Sequence, residues 1–301
     1  MDNLLFYIVT EIEKRNQVTA KALKKNLERV DDAYLNRANS FFAKYHRYLR
    51  SIGKGFDYSI DCYFHLVADM FEERVMFLET GAYSSTSFIE VNNRVYANPE
   101  IMNYHMHGLV LAQFLWPDQY KRIDFFANNL PSYRESVHHY LEIGGGHGLY
   151  IDTAVNILQD ETSFDLVDIS LSSLNIAKGI LDNPKINYIH KDIFDFEEDK
   201  KYDFITMGEV LEHLEEPCKM LKKIYHLLAD DGTFYMTTPA NAPMIDHIHL
   251  FNNEDEIKEM ITDAGFIIKD EIAIYSKTMP LEIARELRIP LMYAAFLTKK
   301  V

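Results

Sequence analysis

Apolar positions along the chain follow two different periods. Up to about residue 131 they fall at helical intervals. Leu4, Leu5, Ile8 and Val9, followed by Glu11 and Glu13, predict an amphipathic helix at the N-terminus. Lysine-rich helical spacing covers residues 18–30, and Leu35, Ala38, Phe42 and Tyr45 mark a helix over 31–49. The strongest stripe spans 58–79, with Ile60, Tyr63, Phe64, Val67, Met70, Phe71, Val75 and Leu78 on one face and Gly81 as its stop. Residues 88–91 and 94–97 flank Asn92-Asn93 and predict a short hairpin or paired loop. Pro99 opens a helix carrying Ile101, Tyr104, His105, Leu109, Ala112, Leu115 and Trp116, and Pro117 opens a shorter one through Asn128.

From residue 138 the pattern changes to short apolar runs alternating with helical stretches, which predicts a largely parallel sheet covered on both faces. The strands are expected at 141–143, 164–168, 186–190, 202–207 and 233–237, the last one entered through a turn at Asp230-Asp231-Gly232. Pro217 begins a helix with Met220, Leu221, Ile224 and Leu227 inward, and Asn253 with Glu256 caps another that Gly265 ends. Two further strands, near 267–275 and 291–297, lack a glycine turn or long helix of their own and predict an appended pair, one of them antiparallel. The expected fold class is therefore α/β: a doubly wound, mostly parallel seven-stranded sheet over 133–301, behind a mainly helical domain over 1–132.

Composition narrows the partners. A length of 301 residues, 48% hydrophobic and 26% charged, suits one large or two ordinary domains. The net charge of -15, from 31 basic against 46 acidic residues, argues against nucleic acid and favours a neutral or cationic small-molecule substrate. Cys62 and Cys218 form no paired motif, which fits a reducing compartment. The N-terminal run has no basic flank, and no apolar run reaches the roughly 20 residues of a membrane span, so a cytoplasmic protein without membrane contact is expected.

The candidate chemistry centres on Leu141-Glu142-Ile143-Gly144-Gly145-Gly146-His147-Gly148. A strand feeding four glycines and then a helix lets a nucleotide-like group approach backbone amides without meeting a Cβ. Asp168 ends the second strand, where an acid can accept from two ribose hydroxyls or simply cap the helix at Ser170. Asp192, just beyond the third strand, either accepts from an exocyclic amine or makes a turn.

In this order and spacing, the glycine turn, Asp168 followed by Ile169, Asp192-Ile193 and Glu209-Val210-Leu211-Glu212-His213 resemble the class I S-adenosylmethionine-dependent methyltransferases of small-molecule type, over residues 133–301. The resemblance implies a Rossmann-like sheet and S-adenosyl-L-methionine as cofactor. It implies that Gly144, Gly145, Gly146 and Gly148 hold the methionyl part, Asp168 the ribose, and Asp192 with Ile193 the adenine. Ile169 and Glu209 belong to the same expected cofactor wall, and Glu142 is implied to order the loop from beneath. The helical part is an expected lid, substrate or homodimer surface.

Methyl transfer from a sulfonium is an in-line displacement that needs alignment and dryness, and an oxygen acceptor also needs a base. O-methylation is expected ahead of N- or C-methylation. If residues 238–251 are extended, His247 and His249 project to one side; His249 is the first candidate for the base and His247 the second, while a histidine that merely hydrogen-bonds the loop is the competing reading. Tyr104, His105, His107 and Trp116 are candidate substrate contacts, although their apolar face equally suits packing on the rest of the chain. His105 and His107, two apart on a helix, are not expected to chelate together. Glu209, Glu212 and His213 with a loop histidine have the ligand types for a metal, a local pattern similar to metal-dependent RNA methyltransferases. The same pattern fits metal-free relatives in which His213 only starts a helix, and no metal is expected. A dinucleotide oxidoreductase is disfavoured by a glycine spacing one residue short, and a non-catalytic cofactor-binding scaffold is the remaining alternative.

Overall fold

The computed structural model describes residues 3–300 apart from residues 29, 198–199 and 278. Asn16 separates α1 (Leu4–Arg15) from α2 (Gln17–Leu27): its amide closes the first helix on Ile12 and its side chain accepts from the Thr19 amide to start the second. The stretch expected to be helical over 18–30 includes residue 29, which lies outside the described residues. Asp31 caps α3 (Asp32–Ser51), and Gly81, at φ 77, stops α4 (Phe56–Thr80). The α4 stripe divides: Ile60 and Tyr63 are buried, whereas Phe71, Val75 and Leu78 are exposed.

The paired loop expected around Asn92-Asn93 is helical instead. Ser87 caps α5 (Phe88–Val91) by accepting from the Glu90 amide, and the chain runs on as a π-turn over Asn92–Tyr96. Asn92 sits at φ -58, ψ -47, so the pair never adopts the left-handed backbone that a hairpin turn requires. In α6 (Pro99–Leu115), Gly108 permits close packing on α4, because a Cβ there would stand 2.9 Å from the Cys62 carbonyl oxygen. α7 (Pro117–Asn129) follows directly.

The second part alternates as expected: β1 (His139–Ile143), α8 (Leu149–Ile157), β2 (Ser163–Asp168), α9 (Leu171–Leu181), β3 (Ile186–His190), β4 (Tyr202–Gly208), α10 (Pro217–Leu227), β5 (Leu228–Ala240), α11 (Glu254–Asp263), β6 (Phe266–Tyr275), α12 (Leu281–Glu286) and β7 (Leu291–Lys299). The seven strands are ordered β3-β2-β1-β4-β5-β7-β6. The first five pair in parallel, and β7 runs antiparallel to both β5 and β6. The turn expected at Asp230-Asp231-Gly232 lies inside β5 as a register shift, where pairing jumps from Tyr202–Leu228 to Phe204–Thr233. The short α12 has no counterpart in the sequence pattern.

Each sheet face carries its own apolar cluster. One holds Ile205, Leu221, Ile224, Phe234 and Ile257 under α10 and α11. The other runs from Leu5 on α1 through Phe42, Phe114 and Phe126 to Phe204, Tyr235 and Phe296, so residues on both sides of the expected 132/133 boundary share one core. Phe126 is wholly buried, with its ring 4.9 Å from Tyr235 and 5.2 Å from Tyr150. Among the described residues, no helix is long and apolar enough to cross a membrane.

Because Phe126 fills the seam between helices and sheet, Phe126→Ala should lower stability by about 3–5 kcal/mol, read as a shifted urea midpoint. A shift below about 1 kcal/mol would mean that the two layers do not depend on one core.

Candidate active site

A cavity of about 1380 Å³ lies at the carboxyl ends of the parallel strands, with α4, α6 and α7 forming its far wall. Its first pole is the turn after β1. Gly144, Gly146 and Gly148 have φ of 65, 53 and 78, and the Gly148 amide donates to the Gly145 carbonyl at 2.7 Å before α8 begins. A Cβ on Gly144 would meet Val210 Cγ2 at 2.6 Å, and one on Gly145 would meet Leu166 Cδ1 at 2.7 Å. Side chains cannot be added there without moving the wall. Glu142 is buried beneath the loop, accepts from the Ile151 amide and keeps Oε2 unpartnered; burial pushes its carboxyl well above the usual range.

Asp168 Oδ1 accepts from the Ser170 amide at 2.7 Å, and Oδ2 accepts weakly from the Gly146 amide at 3.4 Å. The helix cap is Ser170, not Asp168. Burial raises the Asp168 carboxyl to about 6, against the pull of those two amides. Ile169, Asp192 and Ile193 line the same pole. Asp192 also makes its own turn, accepting from the Phe194 amide at 2.9 Å.

Glu209, at the end of β4, holds a left-handed backbone at φ 56, uncommon for a side chain of this size. Its amide donates to the Thr237 carbonyl at 3.0 Å, and its carboxylate accepts from Thr237 Oγ1 at 2.8 Å while pairing with Arg122. Arg122, 1% exposed, also donates to Gln119 and has no partner at Nε. Sequence reasoning missed this arginine. The available signal was its place on the α7 face shared by Gln119, Ile123 and Phe126.

A second cluster on the cavity wall gathers His105, Tyr96, Glu212, His213, Asp246 and His247. Asp246 Oδ2 faces His105 Nε2 and His213 Nδ1, each at 3.6 Å, and Tyr96 donates to it at 3.5 Å. Burial would raise the Asp246 carboxyl, but His213, His105 and His247 bring it to about 2. For His213, burial is outweighed by Asp246 and Glu212, and its pKa rises. Burial and the neighbouring His213 take His247 down to about 3, and burial with Glu209 lifts Glu212 to about 8.

The other candidates divide. Trp116 lines the cavity and donates to Tyr63 at 2.9 Å. Tyr104 turns away to donate to Asp69 at 2.7 Å, and His107 faces the helical core, with Nδ1 2.7 Å from the Tyr45 hydroxyl. His249, the first candidate for the base, is not on the cavity wall; its ring packs on Phe251 at 4.5 Å. The loop turns just before these residues, where the His247 amide donates to the Met244 carbonyl at 3.3 Å, and of the two histidines His247 lines the cavity.

A glycine turn after the first of five parallel strands, acids beyond the second and third, and an antiparallel last strand define the S-adenosylmethionine-dependent methyltransferase fold. A family profile described as a methyltransferase domain matches residues 115–269, more than half of the chain, and the chain belongs to that family. It is 28% identical over 102 residues to malonyl-[acyl-carrier protein] O-methyltransferase 1 of Ilyobacter polytropus, covering 34% of this chain and 38% of that protein. It is 31% identical over 103 residues to the ubiquinone biosynthesis O-methyltransferase of Coxiella burnetii, covering 33% and 43%. The matched segment thus spans only about two fifths of these relatives' length. The plantazolicin methyltransferase BpumL in complex with SAH shares the fold, with a TM-score of 0.52 at 14% identity over 78% of this chain and all of that one.

Removing Arg122 leaves a partly buried carboxylate without its cation. Arg122→Met should cost about 3 kcal/mol, and adding Glu209→Gln should recover part of it. A double-mutant cycle in urea that finds no coupling would refute the pairing.

Proposed function

We propose that the chain transfers a methyl group from S-adenosyl-L-methionine to an oxygen of a small molecule with an apolar body. The observation that carries this reading is one cavity lined by both a glycine turn and a histidine cluster. The residues present fit the cofactor: a turn whose walls a Cβ would fill, a carboxylate with one weakly used oxygen at Asp168, and a buried guanidinium at Arg122. Gly144 to Gly148 would hold the methionyl part and Arg122 its carboxylate. Asp168 would take the ribose hydroxyls, and Asp192 with Ile193 the adenine edge. When bound, the cofactor supplies a methyl on a sulfonium, and the bonding pair passes to sulfur as the carbon leaves.

The chain's own work is alignment, exclusion of water and removal of one proton. Met102, Met106 and Leu109 from α6 close the cavity over the sheet edge. His105, which lines the cavity with Nε2 3.6 Å from Asp246 Oδ2, would take the hydroxyl proton as the acceptor oxygen bonds to carbon. Oxygen is supported by the printed names of both curated relatives. An apolar body is supported by Val67, Met70, Phe71 and Ile89 at the mouth, where Phe71 and Ile89 are 70% and 73% exposed. Residues 1–132 on this reading form the acceptor-side cap.

Two outcomes test the assignment. Ribose binding needs the Asp168 carboxylate ionised, and its pKa is raised to about 6, so the neutral acid takes over as pH falls through that value. Affinity for S-adenosylhomocysteine should be constant above pH 7 and weaken by up to about tenfold per unit below 6, the single-proton limit. Asp168→Asn should bind weakly at every pH; calorimetry showing wild-type affinity in that variant removes the ribose role. His105→Gln should lower kcat by about a hundredfold or more with cofactor affinity unchanged. An unaltered rate places the base elsewhere.

A further inference from the structure

The structure assigns a divalent transition-metal site to Glu212, His213 and His247, a proposal that deepens the methyl-transfer reading by giving the acceptor oxygen a Lewis acid. The three potential ligand atoms come from two segments, the 3-10 turn Leu211–His213 after β4 and the loop after β5, and lie within 4.8 Å of one another. All three residues line the cavity.

Backbone carbonyls set both imidazoles in the tautomer a metal requires. His213 Nδ1 lies 2.9 Å from the Asp246 carbonyl oxygen and His247 Nδ1 lies 2.6 Å from that of Ala242. A carbonyl only accepts, so each Nδ1 carries the hydrogen and each Nε2 offers a lone pair. Outer hydrogen bonds of this kind hold histidine ligands in metal centres. The two rings stand edge to face with centroids 4.9 Å apart.

Glu212 supplies the third ligand and the need for a cation. Its side chain is fully buried; Oε2 accepts from Thr238 Oγ1 at 2.8 Å, while Oε1 has no donor and lies 3.9 Å from His213 Nε2. A buried carboxylate oxygen left without a donor is costly, and a cation at this point relieves it. The turn and the loop are already fastened together, since the amides of Ile248 and His249 both donate to the Glu212 carbonyl, at 2.8 and 2.9 Å. Bonds of about 2.0–2.2 Å to a shared ion require the ligands to close by roughly an ångström. Rotation of His213, whose side chain is 20% exposed, is the freest way to do so.

The geometry also trims the ligand set that the sequence offers. Glu209 is engaged by Arg122 and Thr237, and His249 is off the cavity wall. Two imidazoles and one carboxylate suit zinc, cobalt, manganese or iron(II) and not magnesium or calcium, which take oxygen ligands. Three protein ligands leave positions open towards the cavity. There the ion would bind the acceptor hydroxyl and ease transfer of its proton to His105, while the methyl carbon leaves sulfur for that oxygen.

The test uses the full chain stripped with a chelator and titrated with Co²⁺, read by visible ligand-field absorption, and with Zn²⁺ by calorimetry. One equivalent should bind, with Mg²⁺ failing to compete at a hundredfold excess. His247→Gln should weaken binding at least a hundredfold, and Thr238→Val, which removes only the support of Glu212, about tenfold or more. S-adenosylhomocysteine affinity is measured on the same samples. If the wild-type chain binds that nucleoside but takes up no stoichiometric Co²⁺, or both variants bind Co²⁺ as tightly as wild type, the metal site is refuted while the cofactor reading stands. Metal uptake lost in the variants, in a chain that binds no nucleoside, would support the site and overturn the methyl-transfer reading.

Discussion

The clamp of Arg122 on Glu209 is the constraint on which the rest of the site depends. Arg122 belongs to α7 in the helical layer, Glu209 to the end of β4, and their shared partner Thr237 to β5. This polar knot is one of several that cross between the two layers, with His105 and Tyr96 on Asp246, Lys44 on Asp152 and the Ala242 amide on Tyr83. It also holds Glu209 in the left-handed backbone that turns the chain into Val210, whose side chain closes over Gly144.

The cavity's two clusters carry different chemistry. At the glycine turn, main-chain conformation matters most and side chains are excluded. At the histidine cluster, side chains crowd together and each holds its neighbour's proton in place. Glu142, Asp168, Glu209, Glu212 and Asp246 all stand on this wall, giving it a marked concentration of acids. Burial keeps the Glu142 and Glu212 carboxyls above the usual range and Arg122 pairs with Glu209, so these acids do not add up to one uncompensated negative field.

The sheet was legible in the sequence because each β/α unit carries its own signals: an apolar run, a cap such as Ser170 or Asn253, and a glycine stop such as Gly265. The wall built by the glycine turn, Asp168 and Asp192-Ile193 was legible for the same reason, since it depends on strand ends that local pattern fixes. Residues 88–97 were misread because Asn-Asn suits a turn, whereas a serine cap one residue upstream of the segment started a helix. His249 was ranked first on an assumed extended loop, whereas of the two loop histidines His247 lines the cavity. Periodicity sets Arg122 on the apolar face of α7 with Gln119, Ile123 and Phe126, but it does not show that Glu209 lies opposite. Part of the histidine cluster was legible, since Glu212, His213 and a loop histidine were read together, whereas His105 and Tyr96 come from the helical part and meet Asp246 only through tertiary packing.

The strand order has a bearing on how the chain is made. β6 leaves the ribosome before β7 but is attached to the rest of the sheet only through it. Until residues 291–299 emerge, β5 presents an open hydrogen-bonding edge carrying Phe234, Tyr235 and Met236, and β6 has no neighbour. Nascent chains halted before that point would expose a sticky edge. Docking of β7 is thus the event that covers the β5 edge and joins β6 to the sheet.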